Sequence, residues 1–429
     1  MPENEQKDWR PLALLVAGAF FMENLDGTIV VTATQRMAHT FGVPAAALNL
    51  TITAYLLTLG VLIPVSGWVA DRFGGRTVFT LAIAVFTLAS ALCATSTSLP
   101  ELTAMRVLQG VGGAMMVPVG RLVVLRATAK SDLITAIAYL TWPALAAPMV
   151  APAVGGALTT FLSWRWIFLV NLPLGVVALV IALRIVPDVR GPERRALDWW
   201  GFVLTGLGVA VFVGGLETVT AGSASWALVV AALVAGGAVL AVAVRHLRRA
   251  AHPLVDLRVF RVPTFRVTTV GGSCFRMAIG AAPFLLPLLF QEAFGWSAFE
   301  AGLMVIPVFV GNIAIKPATT PILRRFGFRR TLVVSDCLTG VTLALCATFT
   351  AHTPMVLLVA DLLASGVFRS VGFTAYNTIV FADVPHEQMN NANTLASTIQ
   401  QLSMGLGVGG LCTPLRRRVR PVSCRPRTR

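Results

Sequence analysis

The chain has 429 residues, of which 56% are hydrophobic and only 12% charged, with mean hydropathy +0.77 and a formal net charge of +15. A soluble domain carries about twice that share of charge, so the balance excludes a soluble fold. The basic residues fall in short clusters between apolar runs, which excludes a nucleic-acid face and points to membrane topology instead.

Runs such as Thr77–Ser98 and Ala224–Val244 carry no charge at all, and each is long enough to cross a bilayer. In chain order, spans are expected near residues 11–33, 46–70, 77–98, 101–123, 133–160 and 165–187. Two more are expected at 199–218 and 224–244, then five at 267–290, 299–323, 331–350, 354–377 and 393–412. The expected class is therefore all-α and polytopic. Its expected parts are a first six-helix bundle over 1–187, two linking spans with a loop over 188–266, an incomplete second bundle over 267–412 and an Arg/Pro-rich tail over 413–429.

Cytoplasmic loops keep positive charge. The even-numbered gaps hold Arg72 and Arg76, Arg126 and Lys130, Arg190, Arg194 and Arg195, the cluster Arg245 to Arg261, and Arg324 to Arg330, whereas the odd-numbered gaps hold little beyond Arg36 and Arg165. That asymmetry places the N-terminus in the cytoplasm. A thirteenth span would then carry the seven arginines of Pro414–Arg429 to the outer side, against the rule. Two readings of the tail stay open: a shifted or truncated reading frame that lacks a fourteenth span, and a basic segment that binds anionic lipid.

Gly67-Trp-Val-Ala-Asp71-Arg72-Phe-Gly74-Gly-Arg76 lies between spans two and three. It resembles the signature loop of the major facilitator superfamily in residue type and spacing. The resemblance implies two six-helix bundles that rock about a midplane cavity, with Gly67, Asp71, Arg72, Gly74 and Arg76 as gating elements. An ordinary basic turn would explain the arginines but not Asp71 together with the glycines.

Leu25-Asp26-Gly-Thr28, Arg106-Val-Leu-Gln109-Gly110 and Trp164-Arg165-Trp166 through Gly175 resemble the fourteen-span drug:proton antiporters of the EmrB/QacA type. Arg276, Lys316–Arg330 and Asn377–Asp383 resemble its MdtD-like and HsrA-like branch. Span five carries Ala147-Pro148, Ala151-Pro152 and Gly155-Gly156, similar to the family's antiporter motif but with alanine where the family has glycine before each proline. The departure bears on how freely this helix bends.

Ionisable residues inside a span are expensive in lipid and point to function. Glu23 and Asp26 are three apart and share one helix face, and Arg106 is the natural cation for Asp26. The resemblance implies that this set couples protons. A structural ion pair is the plainer alternative. Gln109, Arg276, Lys316 and Arg369 are candidate substrate or charge sites, and their sign suggests neutral or anionic amphiphiles as readily as cations; Lys316 could instead snorkel to the interface.

Six scattered cysteines and five histidines form no metal-ligand spacing, and no P-loop, dinucleotide fingerprint or nucleophile-and-base set appears. No enzyme activity, cofactor or metal is expected. The function expected is proton-coupled efflux of drugs or amphipathic metabolites across a bacterial inner membrane. Its partners are a small-molecule substrate, protons and the lipid bilayer, with a periplasmic adaptor and an outer-membrane channel as further candidates and no nucleic acid. Proton-coupled uptake by symport and an inactive truncated fragment are the alternatives.

Overall fold

The computed structural model describes residues 9–129, 132–187, 196–220, 226–290, 294–296, 300, 303–350 and 352–418. The arginines at 190, 194 and 195 and the tail beyond 418 lie outside the described residues. All regular structure among the described residues is helical.

The first half runs α1 (Arg10–Phe41), α2 (Asn49–Phe73), α3 (Gly75–Thr95), α4 (Leu99–Ala127), α5 (Leu133–Ala157), α6 (Trp166–Leu169) and α7 (Asn171–Ile185). Two linking helices follow, α8 (Trp199–Thr220) and α9 (Trp226–Arg249). The remainder is α10 (Pro263–Leu288), α11 (Ile306–Ala314), α12 (Lys316–Cys346), α13 (Met355–Ala382) and α14 (Met389–Arg418). Among the described residues, seven helices are individually long and apolar enough to cross a bilayer.

Local chemistry sets the boundaries. Pro11 opens α1, where its missing N–H would be unpaired anyway, and Gly42 ends it in the left-handed region at φ 64°. Ser98 caps α4 by accepting from the Glu101 N–H, while the Glu101 carboxylate reaches back to the Thr97 N–H at 2.8 Å. Expected spans ten and eleven lie close to where the hydropathy pattern puts them, on either side of Gly327, but the first of them is bent. The chain bends by 54° between α11 and α12, and α12 itself breaks at Gly327, whose φ is 73°. Gly327 falls inside the gap expected from 324 to 330, where a residue without Cβ turns the chain at no steric cost. Span six runs as expected over Trp166–Ile185, with α6 and α7 following each other through a helical Val170.

In the first half α1 packs on α5, α4 on both α2 and α3, and α7 on α3 and α1. In the second, α13 packs on α11, α12 and α10, and α14 lies along α10. The linkers α8 and α9 pack on each other, and α8 also touches α2 and α14. Asp198 anchors this linker pair. It accepts from the Gly201 N–H at 2.8 Å, the Leu254 N–H at 3.2 Å and His246 Nε2 at 2.8 Å. Burial by itself would raise the Asp198 pKa, but these donors outweigh it and hold the carboxyl below its ordinary range.

The halves meet unequally at their two ends. One buried core runs from Leu12, Val16 and Phe20 of α1 through Val119 and Val123 of α4 and Ile137 of α5 to Phe381, Val384, Met389 and Ala392. At the opposite end each half keeps its own core. One is built on Leu25, Ile29, Met37 and Phe168, the other on Phe290, Val308, Leu358 and Leu362. The halves are therefore joined at the end carrying the α2–α3 turn and separate towards the other.

Close helix approach in the second half depends on two glycines. A Cβ on Gly311 would strike the Leu363 carbonyl, and one on Gly366 the Val308 carbonyl. Backbone cannot yield as a flexible side chain can, so Gly366→Ala is expected to push α11 and α13 apart. The expected loss is about 1–3 kcal/mol of stability, read as a lower melting temperature of the purified protein. Gly340→Ala, where a Cβ meets nothing within 4 Å, is the matched control and leaves it unchanged.

Candidate functional site

Four constellations come from the residues singled out in the sequence. The first closes the joined end. Asp71, on the last turn of α2, accepts from Arg126 Nη2 at 2.9 Å and from the Asn390 amide of α14, while the same amide donates to the Gly67 carbonyl at 2.8 Å. Gly67 lets α14 come close, because a Cβ there would lie 2.7 Å from Asn390 Oδ1. Asn393 adds a bond to the Pro118 carbonyl at 2.9 Å. Gly74 turns the chain at φ 89°, and Arg76 donates to the Leu183 carbonyl at the end of α7. Arg72 is exposed, so the cation that reaches Asp71 comes from α4 and not from the neighbouring turn.

A second constellation is buried inside the first half. Asp26 and Arg106 are both fully buried and meet at 2.5 Å. The other carboxylate oxygen of Asp26 accepts from Gln109 Nε2 and Asn171 Nδ2, each at 2.9 Å. Gln109 also accepts from Arg106 at 2.6 Å and donates to Ser90 at 2.7 Å. The Arg106 guanidinium lies over the Tyr55 ring at 4.2 Å. Six residues from five helices thus share one charge pair. Gln109, a candidate substrate residue by sequence, belongs to this set.

Glu23 stands apart from it. It lies one turn before Asp26 on α1, close to Gly113 and Tyr55, and its Oε2 is buried without a hydrogen bond, as is the Tyr55 hydroxyl. The charges it senses are those of Asp26 and Arg121.

The fourth constellation lies between the halves. Arg276, 6% exposed, donates to Asn377 Oδ1 at 3.0 Å. Lys316, 7% exposed, donates to Thr374 at 2.8 Å and lies 3.4 Å from Thr141 of α5. Lys316 therefore does not snorkel outward. Its ammonium is drawn inward because two hydroxyls, one from each half, supply acceptors there. Arg121 of α4 faces the same region and lines a cavity with Phe20, Ile137, Leu140, Thr141, Asn377 and Phe381. The cavity holds about 10 Å³, roughly the space of one water. Arg369 is elsewhere, bonded to the Ile279 carbonyl at 2.8 Å.

In the antiporter-like stretch, α5 is helical throughout, while the side chains of Pro148 and Pro152 lie outside the described residues. Gly155 is the contact glycine, since a Cβ there would strike Thr32 and Ile29 of α1, whereas one on Gly156 meets nothing within 4 Å. Among the described residues no three His, Cys, Asp or Glu side chains gather as a metal site would require.

Sequence reasoning missed Arg121, Asn390 and the two threonines around Lys316. Arg121 sits near the end of its apolar run, where an arginine reads as a loop charge. The signal that could have found it is its spacing from Arg106, fifteen residues or about four turns along the same helix. Asn390 has no signal of its own, because its partner is more than 300 residues away.

Comparison with known proteins agrees with this architecture. The Major Facilitator Superfamily profile matches residues 15–408. A protein of Salmonella paratyphi A named for multidrug resistance, MdtD, is 39% identical over 400 residues, covering 92% of this chain and 84% of its own length. Its counterpart in Cronobacter sakazakii is 40% identical over 395 residues, with 92% and 83% covered. Two solved structures share the fold at 14% identity. The human organic anion transporter MFSD10 superposes with TM-score 0.69 over 95% of this chain and 93% of its own. The proton:xylose symporter XylE superposes with TM-score 0.65 over 96% and 89%.

Removing one partner of the buried pair leaves a lone charge in a dry interior, a loss of about 3–5 kcal/mol. Arg106→Ala is therefore expected to unfold the protein at a lower temperature than the double variant Asp26→Asn/Arg106→Ala. Equal melting temperatures for the two would show that Asp26 left without Arg106 carries no penalty as a lone buried charge.

Proposed function

We propose, from the premise that this chain belongs to the Major Facilitator Superfamily, that it exports amphipathic small molecules in exchange for protons by alternating access. The chain is a multi-pass membrane transporter and not an enzyme. What is proposed is the proton coupling, the direction and the residues that carry them.

The observation that carries the reading is the contrast between two carboxylates one turn apart. Asp26 has a guanidinium and two amide donors around its carboxylate. Glu23 has one oxygen buried without a donor, so its charged form is the poorly supported one. Glu23 is thus assigned as the proton site, and Asp26 with Arg106 as the frame that holds it. Protonation removes a charge beside Asp26 and Arg121, and it favours one access state to the extent that Glu23 holds the proton more tightly in that state.

The arginine-rich loops favour a bacterial inner-membrane topology with the N-terminus in the cytoplasm. In that orientation the joined end is cytoplasmic, and Asp71, Arg126 and Asn390 form its latch. Substrate entry from the cytoplasm requires the latch to open. The curated relatives named for multidrug resistance support drug efflux.

Uptake by symport is the second reading, and one observation favours it for anions. Arg121 is the cation that Glu23 senses, so an anion taken up by Arg121 would favour a proton on Glu23, and the two would bind together. Cations would compete with the proton instead. The direction of the luminal pH change on substrate addition separates the two.

Glu23→Gln in proteoliposomes is expected to abolish substrate-driven proton movement while substrate exchange across the membrane persists. Proton movement equal to that of the unaltered protein would overturn the assignment. For the latch, Asn390→Ala is expected to raise the rate at which a membrane-impermeant maleimide, added on the α2–α3 side, labels a cysteine placed at Phe381. The rise should reach roughly tenfold, the effect of about 1.4 kcal/mol on a two-state balance.

A further inference from the structure

We infer that Arg121, Arg276 and Lys316 together bind the anionic group of an amphiphilic organic anion held between the two halves. The inference deepens the transport reading and rests on it, but not on the sign of proton coupling. Arg121 belongs to α4 in the first half, Arg276 to α10 and Lys316 to α12 in the second. Their neutral partners interlock. Asn377, which accepts from Arg276, lines the same cavity as Arg121, and so does Thr141, which Lys316 reaches from the opposite half. Arg121 and Arg276 are near enough for their charges to repel.

None of the three cations meets a carboxylate within 4.0 Å among the described residues. Two carboxylates lie farther off. Glu23 is sensed by Arg121, and Asp336 accepts from the Tyr376 hydroxyl at 2.5 Å, with Tyr376 sensing Arg276. Arg276 Nε is buried without a hydrogen bond. Structural bonds to Asn377 and Thr374 would need only neutral donors, whereas three converging cations in a membrane interior need an anion. Phe20, Phe381, Ile137 and Leu140 wall the cavity beside Arg121, so the ligand carries an aromatic or aliphatic body next to its charge. In the closed arrangement there is room for about one water, and the ligand therefore enters when the halves part.

The test is direct binding to the full chain in phosphatidylcholine nanodiscs, using fluorescein as the anion and rhodamine 6G as a cation on the same ring system. Fluorescein is expected to bind at least about tenfold more tightly than rhodamine 6G. Arg121→Gln and Arg276→Gln should each weaken fluorescein by about tenfold or more, with Arg121→Lys partly restoring it. Tighter binding of the cation, or fluorescein affinity within twofold in both glutamine variants, would overturn the site. The dye pair on the unaltered chain decides the matter even if a variant fails to fold. Phosphatidylglycerol in the nanodisc that displaces fluorescein competitively would assign the cluster to a lipid headgroup and overturn the substrate reading. Binding is measured without a proton gradient, so a failure of Glu23 coupling would leave this result intact.

Discussion

The Asp26–Arg106 pair is the fixed point of the first half. A charge in the membrane interior must find its partner inside the protein, because lipid offers none. Here the partners come from α1 and α4, with Ser90 of α3 and Asn171 of α7 completing the set through Gln109 and the carboxylate itself. Any slide of one helix against another breaks a charge-assisted bond in a dry site. The set therefore ties α1, α3, α4 and α7 to one another.

Contacts between the halves are of two kinds. At the α2–α3 end they are apolar and extensive, and Asp71 and Asn390 give them a polar lock. Beside that core they are polar and positively charged, with hydroxyl and amide partners. A rocking carrier requires this difference. The end that closes must be held firmly enough to exclude leakage, while the centre must be able to trade its internal bonds for bonds to a ligand.

Charge sign also links substrate to energy. An anion leaving an inside-negative cell gains about 2.3 kcal/mol per charge for each 100 mV of membrane potential. A cation leaving the same cell loses as much and depends more on proton entry. The Glu23–Arg121 neighbourhood lies where these two cases diverge, since the same carboxylate would be helped to take a proton by a nearby anion and hindered by a nearby cation.

Much of this was legible in one dimension. Hydropathy with turn glycines located most of the helices, because the bilayer requires long apolar runs with satisfied backbones. The charge and motif pattern picked out Glu23, Asp26, Arg106, Asp71 and Gly67, since ionisable or close-packing residues in such runs are conspicuous. Where sequence reading failed, distance along the chain was the reason. The bend near Ile315 inside span ten leaves almost no hydropathy trace, whereas the break at Gly327 falls in the expected gap. Lys316 could be read as snorkelling because Thr141 and Thr374 are 175 and 58 residues away.

By itself, then, the sequence determined a helical membrane protein with buried charge, because composition and local spacing obey the solvent in which the chain sits. Only the tertiary structure decided which charges are paired. It placed Asp26 and Gln109 in one buried hydrogen-bonded set, left Glu23 without a donor for one oxygen, and brought Arg121 to a cavity that it shares with Asn377 and Thr141, the neutral partners of Arg276 and Lys316. Pairing depends on three-dimensional proximity across helices, and no periodicity along a single chain encodes it.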